Sequence, residues 1–110
     1  MDKLKLNTLQ MTRLAEWLDV RIVFNKTEET YFLPSAEFGR TKFTDYLQEG
    51  NTILPIIEKA NEKGISIIAY SSGVVKITSL TNDIKVMEQN ASFVQAFYDA
   101  LLSFIARNKF

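Results

Sequence analysis

Apolar residues recur at helical spacing near the start of the chain. They stand at positions i, i+3, i+4 and i+7 and are Met11, Leu14, Ala15 and Leu18. This spacing places them on one face of an α-helix. Asn7 and Gln10 have the spacing of a capping box, in which each side chain bonds a free backbone N–H of the first turn. The pattern predicts a helix over residues 8–18.

A second stretch repeats the same spacing and consists of Ile53, Ile56, Ile57 and Ala60. Proline is tolerated in the first turn of a helix, where its missing N–H has no partner to lose, so we expect Pro55 there. Gly64 follows the last apolar residue and is suited to a left-handed cap. These residues predict a second helix that ends just before Gly64.

The last predicted helix is apolar on almost every side. Ser92 and Gln95 form a second capping-box pattern at its start. Its polar residues recur every four positions and are Gln95, Asp99, Ser103 and Arg107. A helix with so narrow a polar stripe is buried on more than one side. It therefore lies at the centre of the protein, or part of it forms an interface with another chain.

The clearest strand signal is a hairpin. Residues 65–70 and 74–79 are rich in β-branched side chains and enclose a three-residue turn that ends in Gly73. This turn would pair Ile67 with Ile77 and Ile65 with Ser79. One face then carries an apolar core surface, and the opposite face is half apolar. The second face is either partly covered by another element or a contact surface.

Three other stretches of the sequence give weaker signals of secondary structure. Residues 20–24 and 30–34 predict another hairpin, whose second strand should end at Pro34. The alternation around residues 84–88 permits a short edge strand. Residues 35–50 show no clean period and are predicted to form a long loop that carries Phe38, Phe43 and Tyr46.

Together these elements predict an α+β fold in a single small layered domain over residues 1–110. A chain of 110 residues that is 46% apolar is the size of one ordinary domain and can bury a core. We expect an antiparallel sheet of three to five strands with helices packed on it. The hairpin of residues 65–79 would lie at the centre of the sheet, and the last helix would cover its apolar face.

The amino-acid composition limits the catalytic and metal-binding chemistry that the protein can perform. The 13 basic residues balance the 13 acidic residues, and the chain has no cysteine and no histidine. The usual metal ligands and the usual neutral-pH base are therefore missing, so we expect no cofactor, no metal and no enzymatic activity. Without a basic face, nucleic-acid binding is not favoured. The chain lacks a membrane-spanning run and an apolar signal segment, so a cytoplasmic location is expected.

The order of elements resembles a known family. A Trp-bearing first helix around Trp17, then Leu33-Pro34, then Ile53-Leu54-Pro55-Ile56-Ile57-Glu58 leading to Gly64, is similar to the phage ABA-sandwich domain family. The resemblance spans most of the chain, although that family usually has an aspartate just before the second helix and Gly50 stands nearest here. It implies a phage or prophage origin, a host-cytoplasm location and a layered α/β fold. It implies no activity and no catalytic residue.

The candidate binding site lies in the aromatic segment. Aromatic residues and arginine are favoured anchors of protein interfaces, and five are candidates here: Trp17, Phe38, Arg40, Phe43 and Tyr46. The leading hypothesis is a non-enzymatic binding protein, encoded by a phage or prophage, that modulates a host protein. The alternatives are a homo-oligomeric module that uses its last helix as the interface, and a carboxylate-dependent metal hydrolase or nuclease that uses Asp45 and Glu49. The rings of residues 35–50 could equally pack on the core, with the charges in water.

Overall fold

Four helices and two antiparallel sheets make up the described part of the chain, which confirms the predicted α+β class. The computed structural model describes residues 4–34, 41–81 and 83–108. These residues form two compact units, an N-terminal unit that ends at Ile53 and a C-terminal unit that begins at Leu54. The expectation that residues 1–110 form one domain stays a prediction.

The first helix has the predicted bounds and the predicted cap. Helix α1 spans Thr8–Leu18. The Asn7 side chain accepts a hydrogen bond from the Gln10 N–H at 2.8 Å, and the Gln10 side chain accepts one from the Asn7 N–H at 2.9 Å. Two backbone donors that the helix leaves unpaired are thereby satisfied. The cap and the buried Met11 and Leu14 explain why so short a helix persists.

Removal of this cap should weaken the protein measurably. We expect Asn7→Ala to lower the free energy of unfolding by about 1 kcal/mol, because the Gln10 N–H loses its acceptor. Urea denaturation followed by circular dichroism measures the loss. Asn61→Ala, an exposed asparagine within a helix, is the control and should cost nothing, since alanine is the better helix former. Equal stability of Asn7→Ala and the parent chain would show that the cap contributes nothing.

A small sheet accompanies α1 in the N-terminal unit. Strands β1, Val23–Asn25, and β2, Thr30–Phe32, pair antiparallel, with Phe24 opposite Tyr31. The rings of this pair meet edge to face, with centroids 5.2 Å apart. The predicted hairpin is confirmed, although both strands are shorter than predicted and β2 ends before Pro34. Helix α1 contacts β2, in part through a 3.8 Å contact of the Thr30 hydroxyl with the Met11 sulfur.

The long loop predicted over residues 35–50 is wrong for its second half. Residues Phe43–Gln48 form helix α2, which contacts β2. Phe43 and Leu47 are one helical turn apart and both are fully buried. Burial of this pair stabilises a helix of only six residues, too short to hold on its own. Residues 35–40 lie outside the described part of the chain.

The second predicted helix starts earlier than its apolar pattern. Helix α3 spans Gly50–Glu62 and crosses the boundary between the two units. Pro55 is its sixth residue, so the prediction that Pro55 lies in the first turn is wrong. The first turn is set by Thr52, whose N–H donates to the Glu49 carbonyl at 2.9 Å and whose hydroxyl donates to the Tyr46 carbonyl at 2.8 Å. Gly64 follows the helix with a φ of +76°, as predicted for a left-handed cap.

The C-terminal unit contains the hairpin in its predicted register. Strands β3, Ile65–Ala69, and β4, Val74–Ser79, pair antiparallel, with Ile65 opposite Ser79 and Ile67 opposite Ile77. Gly73 closes the turn with a φ of +77°. Strand β5, Lys85–Gln89, pairs with the other side of β4, which confirms the edge strand. The sheet order is β3-β4-β5, so β4 is its central strand.

One face of this sheet is covered by the last helix. Helix α4 spans Phe93–Asn108 and packs on β4 and β5, as predicted. The side chains of the covered face include Val75, Ile77 and Val86, all buried. At the start of α4 the Ser92 hydroxyl accepts from the Gln95 N–H at 3.3 Å. The helix therefore supplies much of the core of this unit.

The polar stripe of α4 is used within the unit. The Gln95 side chain donates to the Asp99 carboxylate at 2.9 Å, and the Ser103 hydroxyl donates to the Glu88 carboxylate at 3.3 Å. The Arg107 guanidinium donates to the Lys85 carbonyl at 3.1 Å. Since Glu88 and Lys85 belong to β5, the stripe fastens the helix to the edge of the sheet.

Candidate functional site

The five residues predicted to form a binding site do not meet on an exposed surface of the described chain. Phe38 and Arg40 lie outside the described residues. Phe43 is fully buried and stacks against Tyr46, with ring centroids 6.3 Å apart. Tyr46 and Trp17 are half-buried. Phe43 is therefore a core residue with no area left for a partner, as in the alternative that the rings of this segment pack inward.

The two acidic residues considered for catalysis are exposed, as is a second acidic pair in the same unit. Asp45 is exposed in the first turn of α2, and Glu49 is exposed at its other end. Glu28 and Glu29 are exposed in the turn between β1 and β2. Within the described ranges, no group of three or more acidic side chains is placed to hold a metal ion. These carboxylates are consistent with solvated turns and helix ends.

An exposed surface does occur on the sheet of the C-terminal unit, on the face opposite α4. Successive side chains of a strand point to opposite faces, and the register aligns them across the three strands. We call this surface the outer face. Its members are Ser66, Ile68, Tyr70, Val74, Lys76, Thr78, Lys85, Met87 and Gln89.

The outer face exposes large apolar side chains. Ile68 is 44% exposed, Tyr70 47% and Met87 56%. Ile68 and Met87 stand on either side of Lys76 in one row across the three strands. Scattered exposed apolar residues are ordinary, but several on one rigid surface are typical of a contact site. The half-apolar second face predicted for the hairpin is thus an uncovered surface at these positions.

The charge of the outer face has one sign. Lys76 and Lys85 are its charged members, and none of the nine residues is acidic. The single carboxylate of β5, Glu88, points to the opposite face and accepts the Ser103 hydroxyl. A chain with no net charge therefore carries a local positive charge among apolar side chains. Such a surface is complementary to an apolar patch that bears carboxylates.

The apolar residues of α4 do not form a second exposed surface. Eight apolar or aromatic side chains of the helix are buried in the single chain, and Val94 is half-buried. The eight are Ala96, Phe97, Tyr98, Ala100, Leu101, Leu102, Phe104 and Ile105. Phe93, at the first turn, is 39% exposed. The apolar surface that suggested an interface on this helix is therefore already buried without a second chain.

The sequence placed the candidate site on the aromatic segment, and that site stays a prediction; a signal for the outer face was also present. The hairpin register fixed which side chains of β3 and β4 share this face. The alternation of Lys85, Met87 and Gln89 would have added the third strand to it. Met87 is the member of the outer face that the sequence analysis did not identify, because its place on this face depends on the pairing of β5 with β4.

No described helix of the protein has the length and apolar character needed to cross a lipid bilayer. Comparisons of the chain with models of protein families, with curated proteins and with solved structures gave no match. The resemblance to the phage ABA-sandwich domain family stays a prediction.

Proposed function

We propose that this chain is a non-enzymatic binding protein that holds a protein partner on its outer face. The observation that carries the proposal is the row of Ile68, Lys76 and Met87, in which a cation lies between two exposed apolar side chains. The row lies on a paired sheet, so its side chains are held at fixed spacing. A rigid site loses little side-chain and backbone entropy on binding.

The partner should present apolar side chains with a carboxylate among them. Desolvation of Ile68, Tyr70 and Met87 supplies the driving force, at roughly 25 cal/mol for each Å² of apolar area buried. Lys76 and Lys85 add attraction for a negative surface and disfavour a positive one. Charge then selects the partner, and apolar contact holds it.

The resemblance to phage proteins indicates in which organism the partner would be found. A small accessory protein encoded by a phage or prophage would act in the host cytoplasm, and its partner would then be a host protein whose activity it modulates. This source is part of the proposal. The outer face supports the contact itself and is compatible with any protein partner of the stated chemistry.

No specific observation favours the two other functions considered. A homo-oligomer through α4 loses its main support, because the apolar positions within that helix are buried inside one chain. A carboxylate-dependent hydrolase would use Asp45 and Glu49, but both are exposed, and among the described residues they belong to no group of three or more acidic side chains that could hold a metal ion. The absence of enzymatic activity is part of the proposal.

The proposal is tested with a double variant of the outer face. Ile68→Glu with Met87→Glu replaces both apolar members of the row and cancels the positive charge of the surface. We expect a partner captured by the parent chain from a lysate of the source organism to be lost at least tenfold, because both the apolar contact and the attraction to Lys76 are removed. Quantitative mass spectrometry of the captured proteins measures the change.

The matched control is Leu9→Glu with Leu54→Glu, which adds the same two charges at helix leucines that are 59% and 60% exposed. Circular dichroism must show that both variants fold like the parent chain. Capture at the parent level by the double variant would show that the outer face does not hold the partner. Equal loss in the control with Leu9→Glu and Leu54→Glu would show that the effect is only one of net charge.

A further inference from the structure

The two edges of the sheet in the C-terminal unit differ in how they are protected. Alternate residues of an antiparallel strand direct their backbone groups toward opposite sides. The Tyr70 N–H donates to the Val74 carbonyl at 2.8 Å, and the Leu80 N–H donates to the Gly64 carbonyl at 3.0 Å. Even-numbered residues of β3 therefore bond β4. The backbone groups that point away from β4 belong to Ile65, Ile67 and Ala69.

The same reasoning places Lys85, Met87 and Gln89 on the outer edge of β5. The Ser79 N–H donates to the Ile84 carbonyl at 2.9 Å, so even-numbered residues of β5 bond β4. The edge of β5 carries the charge of Lys85, and Arg107 bonds the Lys85 carbonyl at 3.1 Å. A charged side chain and a capped carbonyl are recognised ways of blocking an edge against further strands.

Strand β3 has no such protection. Its sequence, Ile65-Ser66-Ile67-Ile68-Ala69, contains no charge and no proline. Among the described residues, no strand pairs with its outer edge. Ile68 and Ala69 are exposed and Ile67 is half-buried, so the edge is accessible along its second half. An edge of this composition is a template for another strand.

The strand that fits this edge is β3 of a second copy. A two-fold axis through Ile67 sets Ile67 opposite its own counterpart and Ile65 opposite Ala69. The Ile67 pair on the axis lies in the accessible half of the edge and can exchange two hydrogen bonds. The two pairs of Ile65 with Ala69 add about four more once the edge beside the buried Ile65 opens. On the covered face, Ile67 then lies beside Ile67 of the second copy, and Ile65 lies beside its Ala69. These side chains are apolar, so no like charges face each other across the contact. A heterologous strand would need its own matching pattern, whereas self-pairing satisfies this register by symmetry.

From this complementarity we infer that the chain forms a two-fold dimer in which the two β3 edges join the sheets into one six-stranded sheet. The β5 edges, carrying Lys85 and Arg107, end the sheet on both sides, so assembly stops at two copies. On the outer face, Ser66 lies opposite Ile68 of the second copy, which joins the two outer faces into one surface. A five-residue strand is only about 17 Å long, so the buried area is small and the dimer is weak and reversible.

Sedimentation velocity across a concentration series tests the dimer together with amide hydrogen exchange. We expect a monomer–dimer equilibrium whose dissociation constant is below about 1 mM. The amides of Ile65, Ile67 and Ala69 should exchange several-fold more slowly as concentration rises, while those of Met87 and Gln89 stay unchanged. A single monomeric species up to about 1 mM would overturn the inference. So would a dimer in which the β3 amides gain no protection, or an open-ended series of larger species.

Variants separate the edge from the rest of the surface. Ile67→Pro removes an outward N–H without touching the bonds to β4 and should abolish the dimer. Ile68→Lys keeps the backbone and sets two like charges near the axis, so it should weaken the dimer at least tenfold even if the proline variant fails to fold. Met87→Lys, on the same face at the opposite edge, is the control and should dimerise like the parent chain. Unaltered dimerisation of Ile68→Lys would contradict the edge contact. The result is independent of partner capture, because a dimer that holds no partner leaves this inference intact.

Discussion

Leu101→Ala is expected to lower the free energy of unfolding by about 2–5 kcal/mol. Leu101 lies in the middle of α4 and has no exposed surface. Truncation removes the transfer free energy of the lost methyl and methylene groups and leaves a cavity that the neighbouring side chains fill only in part. A domain of ordinary stability has about 5–15 kcal/mol in total, so this single change consumes a large share of it.

The control for this prediction is the same substitution at an exposed leucine. Leu80→Ala removes the same atoms from a side chain that is 78% exposed and should change the stability by less than about 0.5 kcal/mol. Urea denaturation of the three proteins, monitored by circular dichroism, gives the comparison. If Leu101→Ala were as mild as Leu80→Ala, α4 would not be the buried helix described here.

Gly73→Ala is expected to destabilise the protein by about 2–4 kcal/mol. Gly73 has a φ of +77°, in the left-handed region that costs an alanine roughly 1–2 kcal/mol. A Cβ built on this glycine would also overlap the backbone carbonyl oxygen of Asn90, whose own N–H donates to the Gly73 carbonyl at 3.1 Å. Because the obstacle is backbone, the turn and the end of β5 would have to move together.

Gly64→Ala separates the two causes. Gly64 has nearly the same φ, +76°, but the nearest atom to an added Cβ is the Thr81 methyl at 3.8 Å, an ordinary contact. This variant should therefore cost only the conformational free energy of an alanine at positive φ, about 1–2 kcal/mol. Thermal and urea denaturation of both variants measure the difference. A Gly73→Ala variant no weaker than Gly64→Ala would show that the turn does not approach Asn90 as described.

The elements that followed from the sequence are those whose local chemistry determines them. The cap of Asn7 and Gln10 set the start of α1, and the turn length with Gly73 set the register of β3 and β4. Since one residue of slip would move every side chain to the opposite face, this register also defined the outer face. Its exposure could not be derived, because it depends on which elements cover the sheet.

The errors arose where packing between distant residues decides the structure. Helix α2 has one buried helical pair, Phe43 and Leu47, and no cap hydrogen bond from the side chain of Lys42. Six residues with that pattern give little periodic signal, so an aromatic loop was the natural interpretation. Pro55 was misplaced because the polar first turn of α3, from Gly50, carries no apolar marker. The loop interpretation of α2 made Phe43, a core residue, a candidate for the binding site.

The central claim is that the outer face contacts a partner protein, and site-specific photo-crosslinking tests it most directly. A photoreactive amino acid placed at Met87, the most exposed apolar position of that face, should yield a covalent product with one other protein in cells of the source organism. The same amino acid at Leu9, a residue of α1 that is 59% exposed, should yield none of that product. Cross-linking at Leu9 and not at Met87, or at neither position, would contradict this contact.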